Sequence, residues 1–186
     1  PTTTIAAGGT ATLSVTFNPT IAGTRNGIIT INNNDSNEAT YTFAVRGIGT
    51  EQEINLQGGA GPSNIANGST NISTTLGTNF GNTPGTRTYI IQNTGTSNLV
   101  IYSVNSSLSD FTASFSPSVV TPGSTATLTV TFSPTVSGTR TSTISINNND
   151  SDESTYTFTV SGTPTDKEIN VRGNGMTLSN GSTIIN

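Results

Sequence analysis

From Thr125 to Phe132 the chain alternates without a break: Ala126, Leu128, Val130 and Phe132 are apolar, and Thr125, Thr127, Thr129 and Thr131 separate them. Successive side chains of a β-strand point to opposite faces, so this period of two predicts a strand with one buried and one wet face. Tyr156, Phe158 and Val160 alternate in the same way with Thr155, Thr157 and Thr159. Similar runs predict strands at Glu53–Gln57, Asn71–Thr75, Thr86–Gln92, Leu99–Asn105, Asp110–Ser114, Thr125–Ser133, Thr139–Asn147 and Thr155–Ser161. Turn-forming segments punctuate them: GNTPGT at 81–86, NTGTSN at 93–98, TPGS at 121–124, SPTVSG at 133–138 and NNNDSDE at 147–153. Short strands broken every ~8–12 residues predict an all-β sandwich. Its expected core includes Leu128, Val130, Phe132, Ile144, Ile146, Tyr156, Phe158 and Val160. No helical periodicity of useful length competes with this reading.

The pattern also repeats over a longer distance. Residues 8–57 align without a gap on residues 123–172, and roughly 31 of those 50 positions are identical. TATLSVTFNPTIAGTR (Thr10–Arg25) returns as TATLTVTFSPTVSGTR (Thr125–Arg140), and INNNDSNEATYTFAVRG (Ile31–Gly47) as INNNDSDESTYTFTVSG (Ile146–Gly162). EINLQGG (Glu53–Gly59) returns as EINVRGN (Glu168–Asn174), and NGSTNIS (Asn67–Ser73) resembles the tail NGSTIIN (Asn180–Asn186). A period of about 115 residues is too long for a solenoid turn and suits a self-contained domain. The arithmetic predicts the C-terminal half of one repeat at 1–50, a complete repeat at 51–165, and the start of a third at 166–186. On this division residues 1–50 correspond to 116–165 and residues 166–186 to roughly 51–73. Together the two partial repeats lack counterparts of about residues 74–115, two central strands included. The expectation is therefore a window on a multi-domain rod, rising roughly 40 Å per repeat.

The order of motifs brings in a family resemblance. EINV-x-GNG, Phe80-Gly81, TYIIQNTGTSNLVI and TATLTVTFSPTVSGTRTSTISINNNDSDESTYTFTVSG together resemble the choice-of-anchor D repeats of secreted Bacteroidota-type proteins. These are similar to the wider group of ASPM–SPD-2–Hydin (ASH) domains, relatives of the major sperm protein fold. The resemblance covers nearly the whole chain and implies tandem immunoglobulin-like sandwiches of seven or eight strands, often within very large exported proteins. It brings no catalytic residues with it.

Composition narrows the function. Hydrophobic residues make up 30% and charged residues 9%, against about a quarter charged in an average protein, with Thr, Ser, Asn and Gly supplying the polar bulk. The net charge of −4 is spread thinly, and Lys167 and five arginines form no basic patch. Neither nucleic acid nor anionic lipid is therefore an expected partner. Cysteine and histidine are both absent, which removes disulfides, thiolate metal sites and the commonest general base. No run approaches the ~18 apolar residues of a membrane span, so no direct membrane insertion is expected, and no signal peptide is visible.

Few residues offer chemistry. The densest cluster of oxygen ligands is Asn147–Glu153, where Asp150, Asp152 and Glu153 form a calcium candidate. The plainer reading is a hairpin loop capped by Asn and Asp side chains: the EF-hand spacing is not met, and Asp152 is replaced by Asn37 in the other copy. The carboxylate pairs Glu51 with Glu53 and Asp150 with Asp152 read as solvated groups at a domain start and a loop tip. Threonine rows could suggest an ice- or glycan-binding face, but they are the ordinary wet side of a strand, and twisted sheets make poor flat lattices. A Lys–Asn crosslink common to all repeats is excluded, because Lys167 is the only lysine and Gln52 stands at its counterpart. The sequons at Asn67, Asn71 and Asn105 are expected by chance in such a composition.

These features predict a non-catalytic stalk or filament segment of a large secreted adhesin on a bacterial cell surface, of the attachment or gliding type. No cofactor is expected. Its partners would be neighbouring repeats of the same chain, with other surface proteins or glycans beyond them. The alternatives are a glycan- or protein-binding module acting through loops, and a cytoplasmic cilium- or spindle-associated ASH domain.

Overall fold

A computed structural model describes residues 4–166, 169–173 and 176–178. Lys167 and the tail Asn180–Asn186 lie outside the described residues. The strands in chain order are β1 (Gly23–Asn32), β2 (Thr40–Gly49), β3 (Ile54–Gly58), β4 (Ser63–Asn64), β5 (Gly85–Asn93), β6 (Leu99–Ser106), β7 (Phe111–Ser116), β8 (Val119–Val120), β9 (Thr125–Phe132), β10 (Arg140–Asn148), β11 (Thr155–Gly162), β12 (Val171–Gly173) and β13 (Met176–Leu178). β3 to β11 form two sheets, a five-stranded one in the order β4-β3-β5-β9-β7 and a four-stranded one in the order β11-β10-β6-β8. Every strand pair within them is antiparallel. β9 is central, bonded to β5 on one side and β7 on the other.

The inward faces of the two sheets close on one core. Leu128, Val130 and Phe132 of β9 meet Ile144 and Ile146 of β10 and Tyr156, Phe158 and Val160 of β11, and all eight expected core residues are buried. Ile54, Leu56, Tyr89, Ile91, Leu99, Ile101 and Phe111 complete the core from the earlier strands. Phe132 stacks on Phe111 with ring centroids 4.5 Å apart, and Phe80 meets both edge-on. Threonines occupy the outer face, where the Thr86 and Thr131 hydroxyls bond to each other across the strands at 3.1 Å. Those hydroxyls are satisfied within the sheet.

One expected strand is absent. Asn71–Thr75 lies in an irregular segment that touches the edge of β11 through two isolated parallel bridges, Ser69 to Phe158 and Asn79 to Ser161. Between the bridges its own side chains hold the chain in turns: Ser73 Oγ accepts the Thr75 N–H at 3.1 Å, and Thr78 Oγ1 accepts the Ser73 N–H at 2.8 Å. Short Ser and Thr side chains compete with a ladder for backbone groups in this way. The segment covers the β11 edge and leaves little of it open to another chain.

β1 and β2 form a separate two-stranded sheet with the register of β10 and β11, Ile29 opposite Phe43 as Ile144 stands opposite Phe158. Much of the apolar surface of this sheet and of the segment ahead of it is uncovered. Leu13, Phe17 and Tyr41 are 55%, 50% and 55% exposed, whereas their counterparts Leu128, Phe132 and Tyr156 are 0%, 0% and 3% exposed. Thr10–Phe17 shares most of its sequence with β9 yet forms no strand. The difference lies in what surrounds each segment: β9 has a partner on both edges, and Thr10–Phe17 has neither. Strand propensity here depends on packing and ladder partners more than on the residues themselves.

Candidate functional site

The acidic loop between β10 and β11 is built by side chains that fold back on the backbone. Asn148 Oδ1 accepts the Asp150 N–H at 2.7 Å, and Asn148 Nδ2 donates to the Glu153 carbonyl at 2.9 Å. The loop between β1 and β2 repeats this: Asn33 Oδ1 accepts the Asp35 N–H at 2.7 Å, and Asn33 Nδ2 donates to the Glu38 carbonyl at 2.7 Å. Two copies of one network, one beside a sandwich and one without, show that the loop is organised by its own sequence. Asn and Asp are selected for turns by such bonds.

Around this loop the expected ligand set is redrawn. Glu53, at the entry to β3, comes within 4.8 Å of Asp150 and Asp152, while Glu153 is not in that trio. Glu153 instead lines an open groove of about 520 Å³ with Glu53, Ile54, Asn55, Asn67 and Tyr156. Reading Asp150 as a solvated loop carboxylate is wrong. It is 1% exposed, and its Oδ2 accepts the Ile54 N–H at 3.0 Å while Oδ1 takes the Asp152 N–H at 3.4 Å. Asp150 thus ties the loop to the first strand of the sandwich, a contact spanning 96 residues. The periodicity of Glu53 and Asp150 gives no hint that they meet.

Burial is the main cause that raises the carboxyl groups of Glu53, Asp150 and Glu153 above the ordinary carboxylate range, with mutual repulsion adding to it. For Asp150, the Ile54 N–H pulls the other way. A raised folded-state value means that the native protein binds more protons here than the unfolded chain. The three groups therefore favour folding below the unfolded-state carboxylate range, and that contribution is lost as pH rises through their folded values. Asp152→Asn, which restores the residue found at Asn37, should raise the melting temperature slightly at pH 7, by a few tenths of a kcal/mol in stability. Near pH 4 the difference should shrink. Chelator should leave both proteins unchanged; a melting temperature that falls with chelator, or falls on Asp152→Asn, would mean that an ion holds the cluster.

Comparison with known proteins places this geometry. Residues 71–163 match the profile of the HYDIN/CFA65/VesB-like, Ig-like domain. The chain belongs to this family. The match runs from the irregular segment on the β11 edge to the end of β11, and the HYDIN/CFA65/VesB-like fold agrees with the immunoglobulin-like, ASH-type sandwich expected from the sequence. No curated protein matches the chain. Among solved structures it is similar to a protein of unknown function from Porphyromonas gingivalis W83, at 15% identity and a TM-score of 0.46, over 81% of this chain and 70% of that one. It is also similar to an ASH/PapD-like domain of human CEP192, at 13% identity and a TM-score of 0.42, over 63% and 89% of the two chains. The Vibrio cholerae VesB protease aligns at 11% identity and a TM-score of 0.38, over 50% of this chain and 29% of that one.

Proposed function

We propose that the chain is a structural stalk or filament segment of a large secreted bacterial surface protein of the choice-of-anchor D kind, an adhesin of the attachment or gliding type, with no catalysis of its own. The junction between repeats carries this reading. Only Thr50–Glu53 separate β2 from β3, and they are bound down on the loop at 94–97. The Thr96 and Ser97 N–H groups donate to the Glu51 carbonyl at 2.9 and 2.8 Å, and Thr94 N–H donates to the Glu53 carbonyl at 2.9 Å. Ser97 Oγ donates to Thr50 Oγ1 at 2.9 Å. After β11, Gly138 N–H donates to the Pro164 carbonyl at 3.2 Å, and Ser137 Oγ donates to Asp166 Oδ2 at 2.9 Å. A connector tied in this way keeps little of the freedom of a Gly/Ser linker and suits repeats stacked end to end. Neighbouring repeats are its main partners, with surface proteins or glycans engaged elsewhere on the same molecule.

A chain of four complete repeats should scatter X-rays as a rod that lengthens by roughly 40 Å per repeat. Gly95→Ala should bend it, because a Cβ there would meet the Glu51 carbonyl oxygen at 2.6 Å and the Glu53 nitrogen at 2.7 Å. Both are backbone atoms of the connector, so the connector must move. A length growing as the square root of repeat number would reject the rod. Antibody against residues 51–165 that stains only permeabilised cells would reject the surface role.

A further inference from the structure

The apolar face of residues 10–49 is open, and the same chain shows what covers such a face. In the sandwich, Phe132 is covered by Phe80 and Phe111, both from the residues ahead of β9. Arg140 pairs with Asp110, which is almost wholly buried. The segment at 78–80 runs along β11, where Ser161 N–H donates to the Thr78 carbonyl at 2.9 Å and Phe80 N–H donates to the Ser161 carbonyl at 2.7 Å. The receiving half of each contact recurs in residues 10–49: Phe17 stands for Phe132, Arg25 for Arg140 and Arg46 for Ser161. Between them lies a groove of about 410 Å³ lined by Val15, Phe17, Arg25, Ile29, Val45 and Gly47. Among the described residues, Arg25 donates only to the carbonyls of Ile21 and Ala22, at 3.4 and 3.3 Å.

We propose that this face is a docking surface for one occupant: the front half of a further repeat, with the strand pattern of residues 51–115, borne on the same polypeptide. Aromatic side chains in the positions of Phe80 and Phe111 fill the groove over Phe17. An aspartate in the position of Asp110 pairs with Arg25, and the backbone in the position of Thr78–Phe80 bonds along the outer edge of β2. A second copy of this chain is a worse occupant. Its front half already covers its own β9 to β11, and releasing it would open as much apolar surface as it closed.

The docking reading rests on the tandem arrangement proposed above, but its test reads burial and not rod shape, so the two fail separately. In a chain with residues 51–115 copied ahead of residue 1, amide exchange at Leu13, Val15 and Arg46 should slow by about 100-fold or more relative to the 186-residue chain. Arg25→Asp in the longer chain should weaken that protection, and adding Asp110→Arg in the copied segment should restore it. Unprotected amides in the longer chain would overturn the proposal. So would a 186-residue chain that dimerises by itself with these amides protected.

Discussion

Phe132→Ala is expected to destabilise the sandwich by about 3–5 kcal/mol, a large part of the 5–15 kcal/mol that holds a typical domain together. The ring is fully buried, stacked on Phe111 and met edge-on by Phe80, so its removal leaves a cavity that rigid neighbours cannot fill. Phe17→Ala removes the same side chain from the same sequence position of the other copy. With half of that ring in water, its loss should cost under about 1 kcal/mol. Urea unfolding followed by circular dichroism gives both values on one chain. Equal costs for the two substitutions would mean that both copies are equally covered in solution.

That contrast marks what sequence alone can specify. Alternation in Thr125–Phe132 and Thr155–Val160 determines which side chains turn inward, because a slip of one residue would put every threonine in the core. The alternation cannot say whether partner strands are present. Thr10–Phe17 carries nearly the same pattern, and without β5 and β7 equivalents beside it no ladder forms. Asn71–Thr75 fails as a strand for a different reason, since its Ser and Thr side chains hold the backbone in local turns. β4 and β8, of two residues each, are too short to show any period.

The acidic loop was legible as a turn but not as a tether. NNNDSDE announces Asx bonding, and both copies make it. Asp150 is buried because Ile54, 96 residues away, brings an N–H to its carboxylate, a contact set by the closing of the two sheets. Glu53 joins the cluster for the same topological reason. Local composition carries no trace of such long-range pairings, so the ligand set drawn from one loop included Glu153 and omitted Glu53.

Gly162→Ala should destabilise the sandwich by about 1–3 kcal/mol, the usual cost of forcing an extra methyl into a packed core. A Cβ at Gly162 would lie 2.4 Å from the Phe132 ring, and that ring has no room to retreat from Phe80 and Phe111. Gly47→Ala makes the same demand on Phe17, at 2.5 Å, but Phe17 is half exposed and its ring can swing into solvent. The expected cost there is close to zero in the 186-residue chain. Once a copied front half is placed ahead of residue 1, Phe17 should be confined as Phe132 is, and Gly47→Ala should then cost about as much as Gly162→Ala. Thermal melts of these three variants beside the two unsubstituted chains decide the matter. If Gly47→Ala is as costly in the shorter chain as Gly162→Ala, Phe17 is already confined and its face is not free. If it remains harmless in the longer chain, the copied strands do not seat over Phe17 as Phe80 and Phe111 seat over Phe132.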